Sequence, residues 1–385
     1  MIFNYSKDEL LKIKGFDTLN EIHQQPDVFL KILEIIKGQE SEIKNFFSNG
    51  GFKKETTKII FTGAGTSEFV GNSIVHNFIK NGYDAQSIAT TDIVQGIEEY
   101  VSPTKQTLLV SFARSGNSPE SVATFDMMND YVKDIKHLVI TCNSEGQLAV
   151  RSQKTEGNLV FLLPPEANDK SFAMTSSYTG MMISAKLLFE INDFAKLSKD
   201  VEKLAAEMTK NMENNFEEII SLANEKHKRV IYLGSGDLNG IAEESHLKML
   251  ELTAGEVAMF YNSPMGFRHG PKSILNKESV VILYFNSDSY KRQYDLDLLK
   301  EFSGQDQVDK IVVVDYKHDA EVEKLCDQYF VFDHSMSEDL MGLNYVTFAQ
   351  LFGFYKSISI GKTPDNPGPS GEVNRVVKGV IIHNK

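Results

Sequence analysis

The residues best able to do chemistry fall in a few short stretches. The first is Ser111-Phe-Ala-Arg-Ser-Gly-Asn-Ser-Pro-Glu-Ser121, with hydroxyls at Ser111, Ser115, Ser118 and Ser121, one guanidinium at Arg114 and one glycine. Ser118 stands where a helix N-cap belongs and Pro119 where the first helical residue belongs, because proline gives up an N–H that the first turn cannot use. Such a loop turns free backbone N–H groups, hydroxyl donors and the positive end of a helix dipole toward one spot, which makes a seat for phosphate. A serine-rich turn that only caps its helix is the plainer reading. The second stretch is residues 240–255, where Glu244, Lys248 and Glu251 stand four and three apart and so share one helix face. Ile241, Leu247, Leu250 and Ala254 cover much of the rest, so the helix should lie largely inside the protein. A glutamate there is either paired or aimed at a ligand; a solvated Glu244–Lys248 pair is the alternative. The third is Ser263-Pro-Met-Gly-Phe-Arg-His-Gly-Pro271, a loop locked by glycine and proline around His269. A single loop histidine carries no chemistry by itself.

Apolar patterning supplies the elements that must hold these groups. Residues 107–112 are a short β-forming run before the serine loop, and Val122, Phe125, Met128 and Val132 give the spacing of a packed helix after it. Residues 58–62 are a second strand. It runs into Gly63-Ala-Gly-Thr-Ser67, whose glycines allow a tight turn and whose Thr66 and Ser67 put hydroxyls at a helix start. Further strands are expected at 82–90, 135–142 and 158–163, and an apolar helix after Thr175-Ser-Ser-Tyr-Thr running to Phe189. Strands alternating with helices mean a parallel, layered α/β domain.

The pattern then repeats. Arg229-Val-Ile-Tyr-Leu-Gly-Ser-Gly-Asp matches Lys58-Ile-Ile-Phe-Thr-Gly-Ala-Gly-Thr in register and glycine spacing. Strands follow at 279–285, 310–315 and 328–332, and a long helix at 345–359. The counterpart of the serine loop in this second copy is Phe285-Asn-Ser-Asp-Ser-Tyr-Lys, so the copies are unequal in role. The expected organisation is a helical arm at 1–55, α/β units at 56–195 and 227–362, a helical connector at 196–226 and a tail at 363–385. The tail opens on a proline- and glycine-rich elbow that cannot be helix or central strand.

Composition excludes several classes. At 385 residues the chain can bury two cores, and 24% charged with 41% hydrophobic residues describe a globular protein. A formal net charge of −13 argues against nucleic acid as a partner. No apolar run approaches a membrane span and the N-terminus lacks a signal-peptide pattern, so a cytoplasmic location is expected. Two cysteines make neither a disulfide framework nor a zinc site. The glycine turn lacks the third glycine of a dinucleotide fingerprint, and no Walker lysine follows it.

Taken together, the paired units, the Ser115-Gly116-Asn117-Ser118 loop, Glu251 and the His269-Gly-Pro motif resemble the sugar isomerase (SIS) superfamily. Within it, the chain is similar to the isomerase part of glutamine–fructose-6-phosphate aminotransferase. It is more similar to the group of galactosamine-6-phosphate deaminases and tagatose-6-phosphate ketose/aldose isomerases, through Glu21-Ile-His-Gln-Gln-Pro26, residues 111–121, Met174-Thr-Ser-Ser177 and Glu372-Val-Asn-Arg-Val-Val-Lys-Gly379. The resemblance implies two tandem SIS-type α-β-α units. By motif position it implies that Thr66, Ser67, Ser115 and Ser118 hold a phosphate, that Glu251 moves a proton between C1 and C2, and that Lys248 belongs to the site. His269 would help open the sugar ring, donated by the partner subunit of a homodimer or larger assembly. Lys378 would reach the sugar from the tail, and Thr175 or Ser176 would line it. Arg114 and Ala113 replace glutamine and serine of the synthase, which adds a charge suited to a dianion and removes a hydroxyl; Glu120, close by, should point away. Residue 2 is Ile2 and not the cysteine a glutamine-hydrolysing domain needs, so such a domain is not expected and a synthase direction is disfavoured. The expected activity is conversion of galactosamine 6-phosphate to tagatose 6-phosphate and ammonia, or plain ketose/aldose exchange, without metal or other cofactor. A sugar-phosphate-sensing regulator is the alternative from another class.

Overall fold

The computed structural model describes residues 1–368 and 379–383. Among them, ten strands form two wholly parallel, five-stranded sheets. The first holds β1 (Lys58–Thr62), β2 (Asp84–Ser87), β3 (Thr107–Ala113), β4 (Ile135–Thr141) and β5 (Leu159–Leu162) in the order β2-β1-β3-β4-β5. The second holds β6 (Arg229–Leu233), β7 (Ala258–Asn262), β8 (Ser279–Tyr284), β9 (Lys310–Asp315) and β10 (Gln328–Val331) in the order β7-β6-β8-β9-β10. Numbered within its own unit, each sheet runs 2-1-3-4-5. The repeat seen in the sequence is therefore a repeat of topology, and the chain is an α/β protein of two tandem parallel-sheet units.

The central strands are apolar runs because a parallel strand between helical layers is buried on both faces. All seven residues of β3 and all six of β8 are buried. Side chains from β1 and β3 meet the helices Thr90–Tyr100 and Pro119–Tyr131 in one core, around Ile60, Ile93, Leu109 and Met128. In the second sheet Ile231, Val281, Leu283 and Val313 pack with Leu298, Leu299 and Phe302 of the helix Ser289–Ser303.

Several boundaries differ from expectation. The helix expected to start at Thr66 and Ser67, Thr66–Asn72, is followed by a second, Val75–Lys80; Ser73 at the junction is buried and shares a 2.7 Å hydrogen bond with the Tyr178 hydroxyl. The long connector helix is Phe194–Asn224. β7 was not anticipated at all: it is an edge strand with Ala258 exposed and its other residues only partly buried, so it lacks an apolar run.

Compactness does not follow chain order. One unit carries the first sheet and comprises Asp27–Asp169, Ser176–Glu202 and the described tail residues; the other carries the second sheet and comprises Met1–Pro26, Lys170–Thr175 and residues 203–368. The expected arm at 1–55 is thus divided after Pro26. Hydrogen bonds explain the division. The Asp365 carboxylate accepts from the Thr18 N–H and hydroxyl, both at 2.8 Å, and its N–H donates to the Lys14 carbonyl at 2.9 Å. Glu21 accepts from the N–H groups of Lys170, at 2.5 Å, and Ser171, and the Gln25 amide donates to Gln350 at 2.8 Å. Four stretches distant in sequence are tied into the second-sheet unit by these contacts.

Candidate active site

In the first sheet the strand order reverses between β1 and β3, with β2 beyond the one and β4 beyond the other. Loops leaving the carboxyl ends of strands at such a point diverge and open a crevice. Both predicted halves of the phosphate seat lie there. After β1, a Cβ on Gly63 would fall 2.4 Å from the Ser67 backbone, and Gly65 has φ +56°, so both turn positions demand glycine. Thr66 and Ser67, both buried, begin the next helix.

After β3 come buried Arg114, half-buried Ser115, Gly116 at φ +65° and Ser118. Ser118 occupies the N-cap and Pro119 the first turn of the helix Pro119–Tyr131, yet the Ser118 hydroxyl caps no N–H. It donates instead to Ser121 Oγ at 2.9 Å. The serine oxygen therefore leaves the helix entrance to another acceptor. Glu120 is buried and its Oε2 has no hydrogen-bond partner.

The loop is held from outside. Asn143 Nδ2 donates to the Ser115 carbonyl at 2.9 Å, the Leu148 N–H to the Gly116 carbonyl at 3.1 Å, and the Gln147 N–H to Asn117 Oδ1 at 3.0 Å. A Cβ on Gly146 would meet the Ser115 carbonyl oxygen at 2.5 Å. Asn143 and Gly146 are thus positioning residues that the sequence reading missed; the signal was the Asn-Ser-Glu-Gly turn directly after β4.

In the second-sheet unit lie the residues expected to act as acid and base. The helix Asp237–Leu252 follows β6. Lys248 and Glu244 are 0% exposed and the Glu251 side chain 22%, which rules out the solvated-pair reading. Lys248 Nζ lies 2.5 Å from Glu251 Oε2 and 3.3 Å from Glu244 Oε1. Burial alone would pull this ammonium down, but Glu244 and Glu251 outweigh it and hold Lys248 above its ordinary range. The result is a charged donor fixed on one oxygen of a partly accessible carboxylate. Glu244 belongs to the arrangement as the second anion; its position seven residues before Glu251 was the available signal.

The other expected residues have these surroundings. His269 is exposed, on the turn between the short helix Pro264–Phe267 and Gly270 at φ +109°. Thr175 and Ser176 have no exposed surface, and the Ser176 and Ser177 N–H groups donate to Asp169 at 3.0 and 2.9 Å. Lys378 lies outside the described residues, as does most of the tail motif.

Glu225, His227 and Asp309 are spaced so that they could share a cation. However, Lys310 is paired with Glu225, and buried Lys356 donates to the Glu225 carbonyl at 2.5 Å. Two ammonium groups make this a poor metal site.

Known proteins resemble this chain in sequence and in fold. Residues 52–191 match the SIS domain family model. The D-galactosamine-6-phosphate deaminase AgaS of Escherichia coli O157:H7 is 39% identical over 371 residues, covering 96% of each chain. The AgaS deaminase of Shewanella sp. (strain ANA-3) is 36% identical, covering 98% of this chain and 94% of that one. Among solved structures, tagatose-6-phosphate ketose/aldose isomerase from Escherichia coli superposes with a TM-score of 0.88 at 36% identity, covering 96% of this chain and 97% of that one. A Thermotoga maritima glucosamine-6-phosphate deaminase shares the fold at a TM-score of 0.70 and 19% identity, covering 94% of this chain and 99% of that one. No helix among the described residues is long and apolar enough to cross a membrane.

Proposed function

Because the chain belongs to the SIS-domain family of AgaS-like deaminases and isomerases, whose members are sugar-phosphate enzymes, we propose that it moves a proton between C1 and C2 of a hexose 6-phosphate, interconverting aldose and ketose. The observation that carries the reading is the Lys248–Glu251 contact, a carboxylate with some access to solvent held by a buried ammonium. Thr66, Ser67, Arg114, Ser115 and Ser118 bind the phosphate. That group does not react; its binding energy orients the reacting end. Glu251 takes the proton from C2 of the open-chain aldose and returns it to C1. The carbon acid is weak, so the Lys248 ammonium beside the base stabilises the charge that develops on the enediol. His269, supplied by a second copy of the chain, assists ring opening, and Lys378 reaches the sugar from the tail.

A second reading follows from what the AgaS relatives are named for. With an amino group at C2 the same proton transfer passes through an enolamine to a ketimine, and water then releases ammonia and leaves tagatose 6-phosphate. The chemistry asked of Glu251 is the same.

The test is a panel of hexose, hexosamine and ketohexose 6-phosphates assayed for ketose and for ammonia, with Glu251→Gln as control. Ketose without ammonia supports the first reading, and ammonia from galactosamine 6-phosphate the second. Tight binding with no product from any sugar overturns both and leaves a sensor. Glu251→Gln should lower kcat by about 10²–10⁴-fold while phosphosugar Kd stays within about twofold; an unchanged kcat removes Glu251 as the base.

A further inference from the structure

The first-sheet unit contains a cavity of about 390 Å³ that the reaction does not use, between the end of the helix Gln25–Asn49 and the amino ends of β4 and β5. Its volume falls within roughly the 300–1,000 Å³ of small-molecule sites. Its lining is half polar and half apolar: the charged or amide residues Glu42, Glu156, Asn45, Lys136 and Asn158, with Phe46 and Leu159. Asn158 Oδ1 accepts from the His137 N–H at 3.0 Å, which fixes the amide's orientation and leaves its buried Nδ2 with no partner. Lys136 already donates to the Glu156 carbonyl at 3.2 Å.

Two carboxylates against one ammonium give the lining a net negative charge. The 25-residue helix adds to it, because its negative pole ends here with no basic residue in the last turn. A phosphorylated sugar is repelled by such a site. An ammonium suits the carboxylates and the helix end; hydroxyls suit the amides of Asn45 and Asn49; and the apolar face of a pyranose suits Phe46.

We infer that this cavity binds an amino sugar without a phosphate, in its protonated form. The experiment is calorimetric titration of the full chain with galactosamine and glucosamine, then with galactose and galactosamine 6-phosphate, in wild type and in Glu42→Lys and Asn45→Leu. Both substitutions sit on an exposed helical surface and should leave folding intact, which circular dichroism checks. Saturable hexosamine binding, weakened at least tenfold by Glu42→Lys and severalfold by Asn45→Leu, with phosphosugar Kd unchanged in both variants, is the expected result. Absence of saturable binding, equal affinity for galactose, or competition between hexosamine and phosphosugar would each overturn it.

Discussion

The turn after the first strand is the same in both sheets, and the loop after the third is not. Gly65 has φ/ψ of +56°/−130° and Gly236 has +62°/−132°. In each turn the earlier glycine is pressed on backbone four residues ahead: Gly63 on Ser67, Gly234 on Leu238. The third-strand loops place Ser118 and Asp288 at equivalent N-caps with similar backbone, φ/ψ −63°/134° and −65°/119°. Their side chains part company there. Asp288 accepts from the N–H groups of Tyr290 and Lys291 at 3.0 and 3.2 Å, so its helix carries its own anion. Ser118 donates sideways to Ser121 and caps nothing. One scaffold thus carries two helix entrances, one capped by its own carboxylate and one not capped by its own side chain.

This contrast can be broken by moving the anion. Ser118→Asp should fill the first-sheet entrance from within and lower kcat/KM by at least 10³-fold, with phosphosugar binding lost in titration; retained affinity would mean that the entrance does not hold the phosphate. Next in size, Arg114→Lys keeps the charge but loses the planar fork, and should raise KM about tenfold or more with kcat changed less.

The two units should also answer pH in opposite directions. Burial, with Lys136 adding to it, pushes His137 of β4 down to about 3. Its unfolded form takes up a proton below about pH 6.5, so stability falls as pH drops from there, by up to about 1.4 kcal/mol per pH unit. Burial raises Asp295 to about 7, against the opposing pull of the Asn286 N–H bond and Arg292. Here the folded form keeps the proton longer, so stability falls as pH climbs from about 4 to 7, at the same limiting slope. Melting temperatures of His137→Phe and Asp295→Asn across pH 4–8 check this: the first should lose the acid slope and the second the neutral one.

The smallest effect concerns capping. Asp288→Ala should cost about 1 kcal/mol in urea unfolding, whereas Ser118→Ala should cost a few tenths, since its oxygen satisfies no N–H. Equal costs would erase the difference between the two entrances.

Much of this could be read from residue order because the central strands are continuous apolar runs and the two glycine turns repeat. β1 and β9 fall on the expected residues, and the seat residues fall at the switch point where such loops open. The misses share a cause: they depend on neighbours remote in sequence. β7 is half-exposed and its residues carry no period, although the repeat itself demanded a strand in the place of β2. Asn143 acts through the Ser115 carbonyl 28 residues earlier; the turn it sits in is visible locally, its partner is not. Ser118 was correctly placed as a cap position, but its rotamer is set by Ser121, one turn on.

The attachment of Met1–Pro26 to partners near residues 170, 350 and 365 bears on how the chain matures on the ribosome. The first sheet is complete once residue 162 has emerged, and it can close while translation continues. Residues 1–26, made before that sheet, must wait for the helix Met341–Ser359 and for Asp365 before Leu19, Ile22 and Thr18 find their native surroundings. Synthesis order and docking order are therefore reversed for these 26 residues, and a nascent chain stalled before Gln350 should expose them to protease while the first sheet resists.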